Sequence, residues 1–191
     1  TEKEPLGTDG DFSNCHLWSS YSSSTFPLSE CTLTGRGKKT IFFAGNSHSE
    51  QYRPLQKSLR EEFDGNIFSI SVSTCTFPSD FGPNDCNSQK KLSNVILEQS
   101  SKGDVIVVTN RYPLFNWGEN KLWTQERNGE KDMLDLLSKA QRKGVLLIIF
   151  SPTPEFSIDF VSVCTPEFFR IKNQNCNASK NDLKSSRKKS Y

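Results

Sequence analysis

Short apolar segments alternate with amphipathic ones along most of this chain, and that alternation limits the fold more strongly than any other feature. The apolar runs predict strands over residues 40–44, 67–72, 104–109 and 145–150. The segments between them have helical periodicity and predict helices over residues 49–62, 88–99 and 131–142. Such alternation is typical of a mostly parallel sheet with helices on both faces. The predicted fold class is therefore α/β, a three-layer α/β/α sandwich.

The third and fourth strands, residues 104–109 and 145–150, are apolar enough to be buried on both faces. Four strands are few for such a sheet, so we expect its last strand to be missing. The length of 191 residues fits one domain. Residues 1–37 are polar and lack periodicity, and they predict an irregular arm tied down through Cys15 and Cys31. Residues 38–191 are predicted to form the α/β domain, incomplete at its carboxyl-terminal end.

Charge and hydropathy exclude several classes of protein. The 24 Lys and Arg residues nearly balance the 22 Asp and Glu residues, so no nucleic-acid partner is expected. The longest apolar run, residues 145–150, is too short to cross a bilayer. The chain begins with Thr1 and shows no signal peptide, so we expect a processed form or a piece of a longer protein.

The six cysteines form local couples in loop-like stretches: Cys15 with Cys31, Cys75 with Cys86, and Cys164 with Cys176. Six cysteines allow many pairings, so disulfides between neighbours are a hypothesis. Disulfides would indicate an oxidising, extracytoplasmic compartment, whereas six reduced cysteines would fit a cytosolic protein. No C-x-x-C spacing occurs and the chain has only two histidines, so neither a metal site nor a cofactor is predicted.

Ser47 lies between the first predicted strand, which stops at Gly45, and the first predicted helix. Free backbone N–H groups and the helix dipole favour negative charge at such a place, so a serine there can be a nucleophile beside an oxyanion site. The same residues fit a capping box, with Ser47 as N-cap and Glu50 reaching back to it. The local sequence leaves both interpretations open.

Polar residues also follow the other predicted strands, at the edge of the sheet that Ser47 would share. Asn110 and Arg111 follow the third strand, and the loop of residues 73–85 follows the second. Asn110 could donate to an oxyanion or close the strand as a turn residue. Arg111 could supply a cation or form a surface ion pair. His48 lies one residue past Ser47 and is predicted to support the loop, not to act as the base.

The sequence Gly45-Asn46-Ser47-His48-Ser49 resembles the first block of SGNH hydrolases, which reads Gly-Asp-Ser-His in one branch. That branch is the SGNH domain fused to membrane-bound acyltransferases of the acyltransferase-3 type, which modify bacterial surface sugars. Further features over residues 12–191 resemble that branch and occur in the same order. A cysteine couple precedes the block, and a Cys-x-Phe-Pro segment at 75–78 closes at Cys86. An Asp-Val-Ile-Val-Val strand leading to Arg111, a Pro-x-Pro turn at 152–154 and a third cysteine couple follow.

The resemblance implies an SGNH- or flavodoxin-like sheet and O-acyl transfer, with acetyl as the expected acyl group, or ester hydrolysis on a surface carbohydrate. Ser47 would be the acylated nucleophile, and backbone N–H groups, Gly82 and Asn110 would hold the oxyanion. The residues expected to support the site are Asn46, His48 and Arg111. The resemblance also implies an extracytoplasmic location and a membrane acyltransferase domain that supplies the acyl donor.

Two features depart from the family pattern. Asn46 stands where an aspartate is usual, so a hydrogen-bonding shape is kept while a charge is lost. The Asp-x-x-His motif that supplies the family's base is absent, since the only histidines are His16 and His48. A serine without a base is a poor nucleophile. Truncation would explain both the missing motif and the missing last strand.

The alternative function is a non-catalytic carbohydrate-binding or interaction module that kept the fold without a complete triad. A longer reading frame that carries Asp-x-x-His would favour the enzyme over this module. A receiver- or flavodoxin-like signalling domain would need carboxylates or a glycine-rich loop at the strand ends, and the sequence has neither there.

Overall fold

A six-stranded sheet forms in the computed structural model, which describes residues 15–17, 26, 28–80, 86–110 and 127–150. Its strands are β1 (His16–Leu17), β2 (Thr32–Leu33), β3 (Thr40–Gly45), β4 (Asn66–Val72), β5 (Val105–Thr109) and β6 (Leu146–Ile149). The helices are α1 (Arg53–Glu62), α2 (Asn87–Gln99) and α3 (Arg127–Lys143), and a 3₁₀ helix (Ser47–Tyr52) precedes α1.

The strands follow the order β1-β4-β3-β5-β6, and β2 pairs with β4 beside β1. All these pairs are parallel except that of β2 with β4. The connection from β3 to β4 moves toward the β1 side of the sheet, whereas those from β4 to β5 and from β5 to β6 move toward the β6 side. Because such crossovers are right-handed, α1 covers one face of the sheet, and α2 and α3 cover the other. The predicted α/β sandwich with a mostly parallel sheet is confirmed.

The arm predicted to be irregular contributes two short strands to the edge of this sheet. β1 pairs with the carboxyl end of β4, and β2 pairs with its amino-terminal half. The disulfide between Cys15 and Cys31 joins the two strands, with 5.5 Å between the Cα atoms. Pairing satisfies backbone groups along the edge of β4 that would otherwise need other hydrogen-bond partners. A second disulfide joins Cys75 to Cys86, so both predicted couples that lie among the described residues form.

The core lies along the three central strands and the helices that cover them. Side chains with almost no exposed surface include Phe43, Ile67, Ile70, Ile106 and Val108 from the strands and Leu92, Ile96 and Leu136 from α2 and α3. The periodic apolar positions of α2 and α3 therefore supply core residues. Gly144 has a φ of +69° just after α3, the left-handed conformation that a glycine provides at a helix end.

The α-helix predicted over residues 49–62 is wrong in its first four residues. A 3₁₀ helix covers Ser47–Tyr52, and the α-helix begins only at Arg53. Pro54 lies in the first turn of α1, where its missing N–H costs nothing. Further inside an α-helix its ring would clash with the carbonyl four residues earlier, so an α-helix cannot run smoothly from residue 49 through Pro54.

The prediction that the fourth strand is buried on both faces is also wrong. Leu146, Ile148 and Ile149 of β6 are 59%, 38% and 48% exposed. Their exposure follows from the place of β6 at the end of the strand order, paired with β5 alone among the described residues. No strand follows β6 in the described part of the chain. None of the described helices is both long enough and apolar enough to span a membrane.

Candidate active site at the carboxyl edge of the sheet

Ser47 lies directly after β3, at the edge where the parallel strands β3, β4 and β5 end. The chain leaves β3 toward β4 on one side, and the connection from β4 then crosses to β5 on the other side. The carboxyl ends of β3 and β5 therefore flank the point where the strand order reverses, which is where open α/β sheets bind ligands. Ser47 is exposed there, as a nucleophile must be.

Gly45 lets β3 and β5 approach each other closely at this edge. A Cβ added to Gly45 would overlap the backbone carbonyl oxygen of Thr109, its partner in the sheet register. Backbone atoms cannot move aside as a flexible side chain can, so the position requires glycine. The close approach brings the end of β5 next to the turn that carries Ser47.

Asn46 is the N-cap of the 3₁₀ helix, so the predicted capping box with Ser47 as N-cap is wrong. The Oδ1 atom of Asn46 accepts a hydrogen bond from the His48 backbone N–H at 3.1 Å. Its backbone oxygen accepts from the Ser49 N–H at 2.9 Å. Asn46 is only 7% exposed, so this neutral amide performs the capping role that an aspartate would perform. Ser47 becomes the first helical residue.

Two side chains bind the 3₁₀ helix to the sheet beneath it. The hydroxyl of Ser49 hydrogen-bonds the hydroxyl of Thr109 at the end of β5. The carboxylate of Glu50 accepts from the Ser71 hydroxyl at 2.7 Å, at the end of β4. Gly45 lies between Ser71 and Thr109 in the register, so the helix spans the ends of three strands. These contacts fix the turn that carries Ser47.

Glu50 does not reach back to the helix start as a capping box would require. Its second carboxylate oxygen pairs with the guanidinium of Arg53, a buried residue at the start of α1. His48 hydrogen-bonds Gln51 within the same 3₁₀ helix, with 3.1 Å between Nδ1 and Nε2. The structure thus places His48 against its own turn. A supporting role for His48 stays a prediction.

Gln89 of α2 joins β3 to the loop that follows β4. Its Nε2 donates to the Gly45 backbone oxygen at 3.1 Å and to the Cys75 backbone oxygen at 2.7 Å. The side chain is fully buried. The sequence could have indicated that Gln89 is buried, because it lies three residues before Leu92 and seven before Ile96, on the same face of α2. A glutamine on an apolar stripe must find polar partners inside the protein.

Asn110 holds the same loop from the other side. Its Oδ1 accepts from the Phe77 N–H at 3.1 Å, and its Nδ2 donates to the Phe77 oxygen at 2.6 Å. The amide therefore pairs with both backbone polar groups of Phe77 while being 5% exposed. Nδ2 carries two hydrogens, and the bond to Phe77 uses one of them. The structure gives Asn110 a loop-holding contact, and its predicted contact with an oxyanion stays a prediction.

Several predicted features lie outside the described residues: Gly82, Arg111, Cys164, Cys176 and the Pro-x-Pro turn at 152–154. The structure brings four of the predicted site residues together at the carboxyl ends of the strands: Asn46, Ser47, His48 and Asn110. Among the described residues, no three His, Cys, Asp or Glu side chains are grouped so that they could hold a metal ion. The described groups at this edge are hydroxyls, amides, the Glu50 carboxylate, the His48 imidazole and backbone N–H groups.

A comparison with protein families gives one match over nearly the whole chain. The family described as the SGNH domain fused to AT3 domains matches residues 14–190. A search of curated proteins and a search of solved structures found no match. The family match covers all the described strands, the turn at Ser47 and both disulfides.

Proposed function

The chain belongs to the family of SGNH domains fused to AT3 domains, and from this membership we propose that Ser47 is the nucleophile of an acyltransferase or esterase. Membership of this family supports an esterase- or acyltransferase-type activity in general. The proposal goes further: the acyl acceptor or substrate is a surface carbohydrate, and the expected acyl group is acetyl. The observation that carries it is an exposed Ser47 at the switch point of the sheet, in a turn tied to the ends of β4 and β5.

The proposed first step is attack of the Ser47 hydroxyl oxygen on the ester carbonyl carbon of an acyl donor. The hydroxyl proton passes to a base, and the carbonyl oxygen takes up negative charge. The tetrahedral intermediate then collapses and breaks the bond to the donor's leaving oxygen. That oxygen takes the proton back from the base, and the acyl group stays on Ser47. The His48 and Ser49 N–H groups already donate to Asn46, so the oxyanion donor proposed from this turn is the Ser47 N–H. The second Nδ2 hydrogen of Asn110 and the backbone N–H of Gly82 are the other proposed donors.

The acyl group on Ser47 then passes to a sugar hydroxyl in the transferase, or to water in the esterase. Both reactions release the free Ser47 hydroxyl and need the same base to deprotonate the incoming oxygen. The family places this base in an Asp-x-x-His motif, which does not occur within these 191 residues. The proposed chemistry therefore requires a histidine from outside them. We propose that a membrane domain delivers the acyl donor.

The proposed location is extracytoplasmic, on the side of the membrane where surface glycans are found. The two disulfides are compatible with an oxidising compartment. Each closes a short loop next to the site: Cys75–Cys86 spans the loop that Gln89 and Asn110 hold, and Cys15–Cys31 spans the arm beside β4. A reducing compartment would remove both restraints.

Labelling with a fluorophosphonate tests the nucleophile directly, because this reagent reacts with activated serines. In the full-length protein we expect modification of the peptide that contains Ser47, and none in the Ser47→Ala variant. The Ser58→Ala variant, which changes an exposed serine of α1, is the matched control and should label like the wild type. Wild-type protein that binds glycans but shows no labelled Ser47 would favour the non-catalytic carbohydrate-binding module instead.

A further inference from the structure

A chain of hydrogen bonds connects His16 to the turn that carries Ser47. His16 in β1 lies beside Ser71 in the sheet register, and Ser71 in turn lies beside Gly45. The His16 Nδ1 is 2.7 Å from the Ser71 hydroxyl oxygen. The same hydroxyl is 2.7 Å from Oε1 of Glu50, in the 3₁₀ helix. Four elements thus meet in one polar cluster, whose last member is Arg53 at the start of α1.

The direction of each hydrogen bond in this cluster follows from the number of protons available. Glu50 as a carboxylate can only accept, so the single hydroxyl proton of Ser71 is donated to Glu50. The Ser71 oxygen can then only accept from His16, which requires a proton on the His16 Nδ1. The hydrogen-bond pattern therefore makes the His16 Nδ1 the donor to Ser71.

The cluster is well placed to act on the position of Ser47. Ser71 is 1% exposed and Arg53 is 8% exposed, so both partners of Glu50 are held by the protein interior. Glu50 lies three residues after Ser47 in the same 3₁₀ helix. Buried hydrogen bonds are costly to leave unpaired, so loss of the His16 donor would disturb the Ser71–Glu50 contact.

We propose that His16 is a positioning residue for Ser47, acting through Ser71 and Glu50. The inference rests on the proposed function of Ser47, but its structural part does not. His16 holds the 3₁₀ helix from the side of β4, while the Ser49–Thr109 bond holds it from the side of β5. The disulfide at Cys15, adjacent to His16 in the chain, keeps β1 in register with β4.

Two substitutions separate the donor function of His16 from its bulk. His16→Asn keeps an amide N–H close to the place of Nδ1, whereas His16→Ala removes the donor. With p-nitrophenyl acetate and the full-length protein, His16→Ala should lower kcat about tenfold to a hundredfold with little change in KM, since a displaced nucleophile has this effect. His16→Asn should restore kcat to within about threefold of the wild type. Arg36→Ala, which removes an exposed ion pair with Asp64, is the control and should leave both constants unchanged.

Nuclear magnetic resonance and hydrogen exchange test the structural part without any assay of activity. The ¹⁵N shifts of the His16 ring should show that Nδ1 carries a proton. The Ser49 amide, which donates to the Asn46 oxygen, should exchange faster in His16→Ala than in the wild type, and His16→Asn should restore its protection. Ser71→Ala removes the middle member of the hydrogen-bond chain from His16 to Glu50. It provides the same test if His16→Ala does not fold.

The outcomes distinguish this inference from the proposed function. An inactive wild type that shows the Nδ1 proton and the exchange difference would reject the function and keep the positioning role. An active wild type with equal kcat in His16→Ala would overturn the positioning role. A folded His16→Asn variant as slow as His16→Ala would overturn it too, because the hydrogen-bond donor would then not be what matters.

Discussion

At the scale of single residues, Gly45 and Asn46 shape the turn before Ser47 takes any part in chemistry. Gly45 admits the Thr109 backbone, and Asn46 caps the 3₁₀ helix. The two residues thus determine that Ser47 starts the helix with its side chain exposed. The neutral Asn46 provides the cap through its amide oxygen. Capping alone therefore does not need a negative charge at this position.

Substitution of Asn46 separates its capping role from its neutral charge. Asn46→Ala removes the side-chain acceptor for the His48 N–H and should lower the free energy of unfolding by about 1 kcal/mol. Asn46→Asp keeps an acceptor and should cost a few tenths of a kcal/mol or less. Urea unfolding followed by circular dichroism measures both values. Equal losses in the two variants would contradict a role for Asn46 as the cap.

Substitution of Gly45 tests the close approach of β3 and β5. Gly45→Ala places a methyl group against the Thr109 carbonyl and should destabilise the protein by about 1–3 kcal/mol, the usual cost of overpacking. Ser58→Ala in the exposed face of α1 is the control and should change stability by less than about 0.5 kcal/mol. A Gly45→Ala variant as stable as the wild type would show that the two strand ends lie further apart.

At the scale of secondary-structure elements, the sequence pattern predicted the main strands and α2 and α3, because their periodicity is long and regular. It failed at the start of α1, although Pro54 was visible inside the predicted helix and is a signal of a boundary. β1 and β2 could not be predicted, since two-residue strands depend on their partner β4 and not on a pattern of their own. The burial of β6 was overestimated because apolar composition does not show which strand lies at an edge.

Gln89 connects α2 to two neighbouring elements, and its substitution tests that connection. Gln89→Met keeps most of the volume but leaves the Gly45 and Cys75 oxygens without their amide donor. The expected loss is about 1–3 kcal/mol, the cost of unsatisfied buried polar groups. Gln99→Met is the matched control at the exposed end of the same helix and should cost less than about 0.5 kcal/mol. Equal stabilities of the two variants in urea would contradict the connection.

At the scale of the whole molecule, the sheet order brings segments that are distant in the sequence to one edge. Residues at positions 16, 47, 71, 89 and 110 meet at the ends of the strands. Of these five, the sequence indicated only Ser47 and Asn110 as site residues. His16, Ser71 and Gln89 could not be assigned from spacing alone, because their contacts depend on register and on α2 packing. The sequence therefore predicted that Ser47 lies at the ends of the strands, but not the network that holds it, and the role of Ser47 as nucleophile stays a prediction.

The disulfides should matter to the whole fold because each one restrains the unfolded chain. Replacing Cys15 and Cys31 by serine should lower the free energy of unfolding by roughly 3 kcal/mol, as expected for a loop of this size. The same substitution should also slow the reaction of Ser47, since β1 carries His16. Urea unfolding and fluorophosphonate labelling measure the two effects. The expected decrease in the free energy of unfolding, together with a wild-type labelling rate of Ser47 in the folded variant, would contradict the link between the arm and the site.

The central claim is that Ser47 becomes acylated, and trapping the acyl-enzyme tests it most directly. The full-length protein is mixed with p-nitrophenyl acetate, quenched in acid after short times and digested for mass spectrometry. We predict an acetyl group on Ser47 that appears before steady-state turnover and is absent from the Ser47→Ala variant. Release of nitrophenol with no acetyl group on Ser47 at any time, or an equal rate in Ser47→Ala, would contradict the account.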